Sequence, residues 1–242
     1  MRNYKEEFNA RVAFIQKLLQ ESGANGIVYG NSGGKDSALV GILCKAACEN
    51  TVGIIMPCNS KRNFTTDYDD GMAVAKQFDI ETRVIDLTDQ RELAVSNLEA
   101  ITTLNNAAVS NIAPRLRMIT LYAVAASENR MVAGTGNRSE RYMGYFTKWG
   151  DGACDFNPIS DLTVTEVFEF LRFLDAPSSI IEKAPSAGLF EGQTDEEDMG
   201  VTYRAIDQYM ETGTASPEEL AVIERYHTRS EHKRKGPYLY AE

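Results

Sequence analysis

The sequence holds little from which to build a histidine-centred or thiolate-metal site. Its two histidines, His227 and His232, lie close together near the C-terminus, so a zinc site or a histidine relay has few builders. The four cysteines, Cys44, Cys48, Cys58 and Cys154, form no C-x-x-C pair and read as free thiols of a reducing cytoplasm. No apolar run approaches the roughly 18 residues of a membrane helix. The stretch from Met1 to Glu7 is polar and charged, and no apolar segment with a cleavage site follows it, so neither a membrane span nor a signal peptide is expected. Positive charge is also short: 25 Lys and Arg stand against 35 Asp and Glu, a formal charge of −10. That balance argues against a nucleic-acid partner. An anionic small molecule stays possible, provided that basic groups are gathered locally.

The remainder suits a globule. With 242 residues, 43% hydrophobic and 25% charged, the chain can bury the core of one large α/β domain or two small ones. Phe8, Val12, Ile15, Leu18 and Leu19 recur at helical spacing, and Ser22-Gly23 closes that helix. Gly26 to Gly30 reads as a buried strand, followed by a glycine-rich turn and a helix from Asp36 to Cys48. Strands over Thr51 to Met56, Glu81 to Asp86 and Arg130 to Gly134 alternate with helices over Asp67 to Phe78, Arg91 to Val109 and Arg115 to Glu128. Such alternation predicts an α/β fold, a doubly wound parallel sheet in three layers with helices on both faces. Ligands of such sheets sit at the C-terminal strand ends. After Pro158 the pattern is helical: Thr163 to Phe173, Gly200 to Met210 and Pro217 to Tyr226. Ala176 to Met199 lacks periodicity, and about 24 irregular residues suggest a lid or binding loop.

Ser32-Gly33-Gly34-Lys35-Asp36-Ser37 carries the strongest local signal, because it joins a strand to a helix. Glycines there let backbone N–H groups approach a phosphate, and the helix dipole points its positive end at the same place. Asp36 would repel a bare phosphate, which suggests a bridging Mg²⁺. The pattern is not the G-x-x-x-x-G-K-[ST] loop of ordinary nucleotide hydrolases. Two other readings exist: a tight turn with a Ser or Asp cap, or a G-x-S-x-G nucleophile elbow with Ser32 as nucleophile and His232 or His227 as base. Gly134-Thr135-Gly136-Asn137-Arg138-Ser139-Glu140 follows the fourth predicted strand. Glu140 is a second candidate Mg²⁺ ligand and Thr135 a phosphate or adenosine contact; the plainer reading is a capped loop entering a helix. Gly144 to Gly152 is dense in aromatics and glycine, a stacking surface or a loop packed by its own rings. Glu231-His232-Lys233-Arg234-Lys235 is either a solvated basic tail or part of an anion site.

Taken together, these residues resemble ammonia-dependent NAD synthetase, within the ATP-pyrophosphatase (adenine nucleotide α-hydrolase-like) superfamily. Ser32 to Ser37 matches the superfamily's S-G-G-x-D-S loop. Gly134-Thr135 with Glu140, Gly144 to Gly152, Asp155 and Pro158 look like the NAD synthetase core. So do Lys183 to Leu189, Gln193 to Glu196, Gly200, Tyr203 and Asp207, and Glu231 to Arg234. The resemblance runs over nearly the whole chain, as one NAD synthetase domain of residues 1–242 with a Rossmann-like sheet. It implies amidation of deamido-NAD to NAD by ATP and ammonia, the last step of NAD biosynthesis, through a nicotinyl adenylate with release of pyrophosphate and AMP.

By this resemblance, Gly30, Asn31, Ser32, Gly33, Gly34, Lys35, Asp36 and Ser37 cradle the ATP phosphates, with Thr135 and Ser186 also at ATP. Asp36 and Glu140 hold Mg²⁺. Arg115, Lys148, Asp155, His232 and Lys233 contact deamido-NAD, with Lys148 also near the chemistry. Asp151 lies near the reacting nicotinate, where it orients or deprotonates ammonia. The family is homodimeric, with the dinucleotide at the subunit interface. One departure stands out: the lysine that usually follows the N-P-[IL] element is Val164 here, and Lys35 is the candidate to supply the missing charge. No glutaminase domain is seen, so free ammonia is the expected donor, with an external glutaminase as the alternative source. Two further readings are a nucleotide-binding sensor without catalysis and an ATP-pyrophosphatase acting on another acceptor.

Overall fold

Asn3 opens the first helix by accepting the Glu6 amide on its side chain, and Gly23 closes it at φ 67°, a left-handed conformation that suits glycine. Between them lies α1 (Tyr4–Ser22). There follow β1 (Gly26–Gly30), α2 (Lys35–Ala47), β2 (Thr51–Ile55), α3 (Lys61–Phe64), α4 (Thr66–Gln77), β3 (Glu81–Val84), α5 (Thr88–Glu99), α6 (Asn106–Ser110), α7 (Ile112–Glu128) and β4 (Arg130–Ala133). The rest is helical: α8 (Arg138–Met143), α9 (Val164–Phe173), α10 (Ser178–Ile181), α11 (Asp195–Met199), α12 (Tyr203–Thr212), α13 (Pro217–Arg229) and α14 (Glu231–Arg234). This computed structural model describes residues 2–58, 60–183, 185 and 194–240.

The four strands are parallel in the order β3-β2-β1-β4. The chain therefore winds from β1 out to β3, then returns past β1 to β4. Its direction reverses beside β1, which makes the C-terminal end of β1 the switch point of the sheet. Side chains alternate across the sheet as a strand requires. Ile27 and Tyr29 face the cluster built by Ile15 of α1, Leu39 and Leu43 of α2, and Val167 and Phe170 of α9. Val28, Val52, Ile54 and Val132 face the opposite cluster, closed by Leu87 and by Ala113 and Ala125 of α7. Helices thus cover both faces, and the expected three-layer α/β sheet is what forms.

Close layers leave little room at the centre. A Cβ on Gly41 would stand 2.3 Å from the Tyr29 hydroxyl, and one on Gly53 would stand 3.0 Å from it. Glycine at both positions admits the ring, but the buried hydroxyl finds no hydrogen-bond partner among the described residues.

A third apolar cluster, including Met143, Val164, Met199, Ile206 and Ile223, holds the C-terminal helices together. An ionic clasp ties α1 to the entry of α9. Arg11 donates to Glu7, to Asp161 and to the Pro158 carbonyl, while Arg2 donates to Asp161 and Glu166. Capping boxes start α8, α9 and α13, formed by Asn137 with Glu140, Thr163 with Glu166 and Ser216 with Glu219.

Two expected helices need correction. The single helix read over Arg91 to Val109 is two, α5 and α6. The chain leaves the helix after Glu99, where the β-branched Thr102-Thr103 pair favours other backbone, and restarts at Asn105, whose side chain accepts the Ala108 amide at 2.8 Å. The helix read from Gly200 starts later, at Tyr203. Gly200 ends α11 at φ 74° and Thr202 caps α12. The span from Ala176 to Met199, expected to be irregular, contains α10 and α11; residues 184 and 186–193 of it, Ser186 included, lie outside the described residues.

Candidate active site

The turn after β1 is shaped by glycine and by a buried asparagine. Gly33 adopts φ 68°, and a Cβ there would stand 2.0 Å from the Asp67 carbonyl. Asn31 is buried, donates to the Gly71 carbonyl at 3.0 Å and accepts the Gly33 amide at 3.4 Å. The Ser32 and Ser37 hydroxyls meet at 3.1 Å, and Ser37 also donates to the Gly34 carbonyl. Gly34 caps α2 without a side chain. This leaves the first turn of a 13-residue helix open toward the pocket, a ready anion site at the switch point.

Beside it, two carboxylates from distant loops converge. Asn137, fully buried, donates its side-chain amide to Asp36 Oδ1 at 3.0 Å and its backbone N–H to Glu140 Oε2 at 3.3 Å. The other oxygen of each acid turns to the Lys35 ammonium, Asp36 Oδ2 at 2.7 Å and Glu140 Oε1 at 3.5 Å. Burial opposes the charge on Lys35, but Asp36 and Glu140, with Asp195 beyond, outweigh it and hold the ammonium above the ordinary lysine range. Burial and then the nearby Asp36 push the Glu140 carboxyl well above its usual range, against the pull of Lys35. Two convergent hard oxygens, with water and phosphate to complete the shell, fit Mg²⁺.

These groups line a cavity of about 870 Å³, at the upper end for small-molecule sites. In a chain of charge −10, its wall carries seven basic side chains (Lys35, Arg62, Arg117, Lys183, Arg225, Arg229, Lys233) against six acidic ones. Lys183 reaches in from beyond α10, donating to the Gly33 carbonyl at 3.0 Å, Asp67 at 2.8 Å and Asp70 at 2.6 Å. Lys233 donates to the Gly144 and Phe146 carbonyls at 2.8 and 2.7 Å; burial lowers its pKa, which Asp151 opposes. Asp151 opens onto the cavity, yet protein crowds its carboxyl elsewhere. That desolvation raises it above the ordinary aspartate range, against the hydrogen bond from the Thr147 amide at 3.0 Å and the charge of Lys233.

Among the sequence candidates, Gly30, Asn31, Ser32, Gly34, Lys35, Asp36, Ser37, Thr135, Glu140, Asp151 and Lys233 all meet on this wall, and Gly33 shapes it from behind. Arg115, Lys148, Asp155 and His232 do not reach it. Lys148 donates to the His232 carbonyl at 2.7 Å and Arg115 to the Lys148 carbonyl at 3.3 Å, a surface chain outside the cavity. Asp155 is engaged at the sheet, accepting the Val132 amide at 2.7 Å and the Tyr122 hydroxyl at 3.3 Å. Val164 packs in the third apolar cluster and is absent from the cavity wall. The nucleophile-elbow reading fails: His227 stacks on Tyr142 and contacts that residue's carbonyl, His232 is exposed on α14, and Ser32 pairs with Ser37. Sequence reasoning does not single out Asn137, Arg117, Lys183 or Asp195 as site residues. Asn137 carries a local signal in its capping-box spacing to Glu140, and Lys183 and Asp195 lie in stretches that carry the family resemblance, whereas Arg117 has none.

A doubly wound sheet with an anion loop at its switch point and two metal-suited carboxylates across it defines a nucleotide-dependent enzyme of the ATP-pyrophosphatase type. Residues 7–237 match the model of the NAD synthase family. The NH(3)-dependent NAD(+) synthetase of Carboxydothermus hydrogenoformans is 46% identical over 238 residues, 97% of each chain. Among solved structures, the NMN synthetase of Francisella tularensis superposes with a TM-score of 0.94 at 38% identity, covering 99% of each chain. The NH3-dependent NAD synthetase of Campylobacter jejuni gives 0.80 at 28%, covering all of both chains. The chain belongs to the NAD synthase family. No helix among its described residues is long and apolar enough to cross a membrane.

Proposed function

We propose that this chain, acting as one catalytic unit, converts deamido-NAD to NAD with ATP and ammonia. The observation that carries the reading is the convergence of Asp36 and Glu140 beside the glycine loop, in a chain 46% identical to an NH(3)-dependent NAD(+) synthetase. The loop from Gly30 to Ser37, with Thr135, binds the ATP phosphates, and Ser186 joins them from outside the described residues. Asp36 and Glu140 hold Mg²⁺, which when bound neutralises phosphate charge. The nicotinate carboxylate attacks the α-phosphorus, pyrophosphate leaves, and ammonia then displaces AMP from the acyl carbon. Lys35, Lys183 and Arg117 supply positive charge around the leaving pyrophosphate, and Lys35 replaces the cation lost at Val164. Asp151, with its raised carboxyl pKa, is a stronger proton acceptor than an ordinary aspartate and takes a proton from the attacking nitrogen. Lys233 holds the nicotinate side of the cavity.

Arg115, Lys148, Asp155 and His232 lie off the cavity wall. We assign them to the far half of the dinucleotide, across the interface of a homodimer. Exposed Leu93, Leu98 and Ile119 on α5 and α7 supply an apolar face for such an interface. The four cysteines are free, as suits the cytoplasm. The donor is ammonia, free or delivered by a separate glutaminase.

The test incubates the protein with ATP, Mg²⁺, deamido-NAD and ammonium, following NAD and pyrophosphate. Equal formation of the two supports the reading; neither product, with ATP still bound, favours a non-catalytic nucleotide binder. A second reading, amidation of nicotinate mononucleotide, is favoured by the higher superposition on the NMN synthetase, TM-score 0.94 against 0.80 and 0.78 for two NAD synthetases. A larger kcat/KM for the mononucleotide in the same assay would select it.

A further inference from the structure

Lys35 is the first residue of α2, yet its side chain is only 6% exposed. Its ammonium lies where two carboxylates meet, and those acids are held in a particular way. Asn137 engages Asp36 Oδ1 and Glu140 Oε2. The remaining oxygens, Asp36 Oδ2 and Glu140 Oε1, point to a single place, and the Lys35 ammonium occupies it. The Tyr203 ring closes the far side, 5.6 Å from the ammonium, with its hydroxyl donating to the buried Asp195. A divalent cation bound by those two oxygens would stand about 2.0–2.1 Å from each, within contact distance of the ammonium. Two cations so close in a cavity repel strongly, so the seat takes one or the other.

We propose that Lys35 is a tethered placeholder for the metal. Its ammonium fills the divalent-cation seat in the nucleotide-free enzyme and keeps free metal out. It moves onto the phosphates when the metal arrives with ATP. This rests on the reading of Asp36 and Glu140 as metal ligands. Without nucleotide, displacement of Lys35 breaks both of its ion pairs and leaves, among the described residues, only Asp195 nearby, a carboxylate already engaged by Tyr203. With ATP, the phosphates on the adjacent glycine loop provide an anion to receive the ammonium. The site therefore selects the metal–nucleotide complex over the bare ion.

The test is Mn²⁺ binding by calorimetry and by the electron paramagnetic resonance of free Mn²⁺, with no nucleotide present. Lys35→Met should bind Mn²⁺ at least tenfold more tightly than the wild type, and adding Asp36→Asn should cancel that gain. With a non-hydrolysable ATP analogue, the wild type should take up Mn²⁺, while Lys35→Met should bind the analogue more weakly. Lys35→Gln, which keeps a polar tip without charge, repeats the titration should the methionine variant not fold. Unchanged or weaker Mn²⁺ binding in both variants overturns the proposal, as does a gain that survives Asp36→Asn. The titration needs neither deamido-NAD nor turnover, so a failed amidation assay and a failed placeholder give different results.

Discussion

At the scale of single residues, Asp36 has two duties that an isosteric change separates. Asp36→Asn keeps its shape, and the Asn137 and Lys35 contacts surround it on both sides. Pyrophosphate formation should fall at least about 100-fold, the scale of losing one electrostatic stabiliser, while circular dichroism stays that of a folded protein and Tm falls, because the buried Lys35 ammonium loses one of its two carboxylate partners. Retained turnover would contradict the metal role. Tyr29 offers the opposite case, a group whose removal helps. Its buried hydroxyl has no hydrogen-bond partner among the described residues, which costs about 1–3 kcal/mol. Tyr29→Phe should therefore raise Tm by at least roughly 2 °C, and a lower Tm would show that the hydroxyl does find a partner. The S-G-G-x-D-S loop was legible in the sequence because its glycines and its place between strand and helix are local properties. The two-handed grip of Asn137 on Asp36 and Glu140 was not, since it exists only once β1 and β4 lie side by side.

At the scale of elements, the clasp between α1 and the entry of α9 is the clearest test. Arg11→Met removes its bonds to Asp161, Glu7 and Pro158 while keeping an apolar stem. A loss of about 1–2 kcal/mol is expected, discounted because Asp161 is 52% exposed. Partial burial opposes the charge on Asp161, but Arg11 and Arg2 outweigh it and hold its carboxyl below the ordinary aspartate range. A depressed acid contributes stability above its unfolded value, about 3.9, and that contribution is lost as pH falls through the folded value. The Tm gap between variant and wild type should thus narrow below about pH 4; a constant gap would point to packing instead. Strands and most helices were legible because alternation and 3.6-residue spacing are written into each segment. The break between α5 and α6 was not, since the run from Arg91 to Val109 contains neither Pro nor Gly, and the restart depends on Asn105 turning its side chain back to Ala108.

At the scale of the whole molecule, Leu93 and Ile119 are 63% and 58% exposed on neighbouring helices. Leu93→Asp with Ile119→Asp should shift a dimer to a monomer in sedimentation velocity, and an unchanged mass would place the interface elsewhere. Apart from Lys35 and Lys233, the cavity's basic residues were the part of the site least legible in sequence. Arg62, Arg117, Lys183 and Arg225 come from four separate segments, and only the order β3-β2-β1-β4 and the packing of the C-terminal helices gather them.

That gathering sets near and far fields against each other. At long range an anionic substrate meets a molecule of charge −10 and is turned away; within the cavity it meets a surplus of basic side chains. Salt screens the far field first, because the Debye length is about 30 Å at 0.01 M and about 10 Å at 0.1 M. Encounter rates for ATP and the nicotinate substrate should therefore rise on first addition of salt and decline only once the screening length shrinks to the size of the cavity. Most enzymes steered by charge slow monotonically with salt; a kcat/KM that passes through a maximum would mark this one as a trap that its substrates must approach uphill.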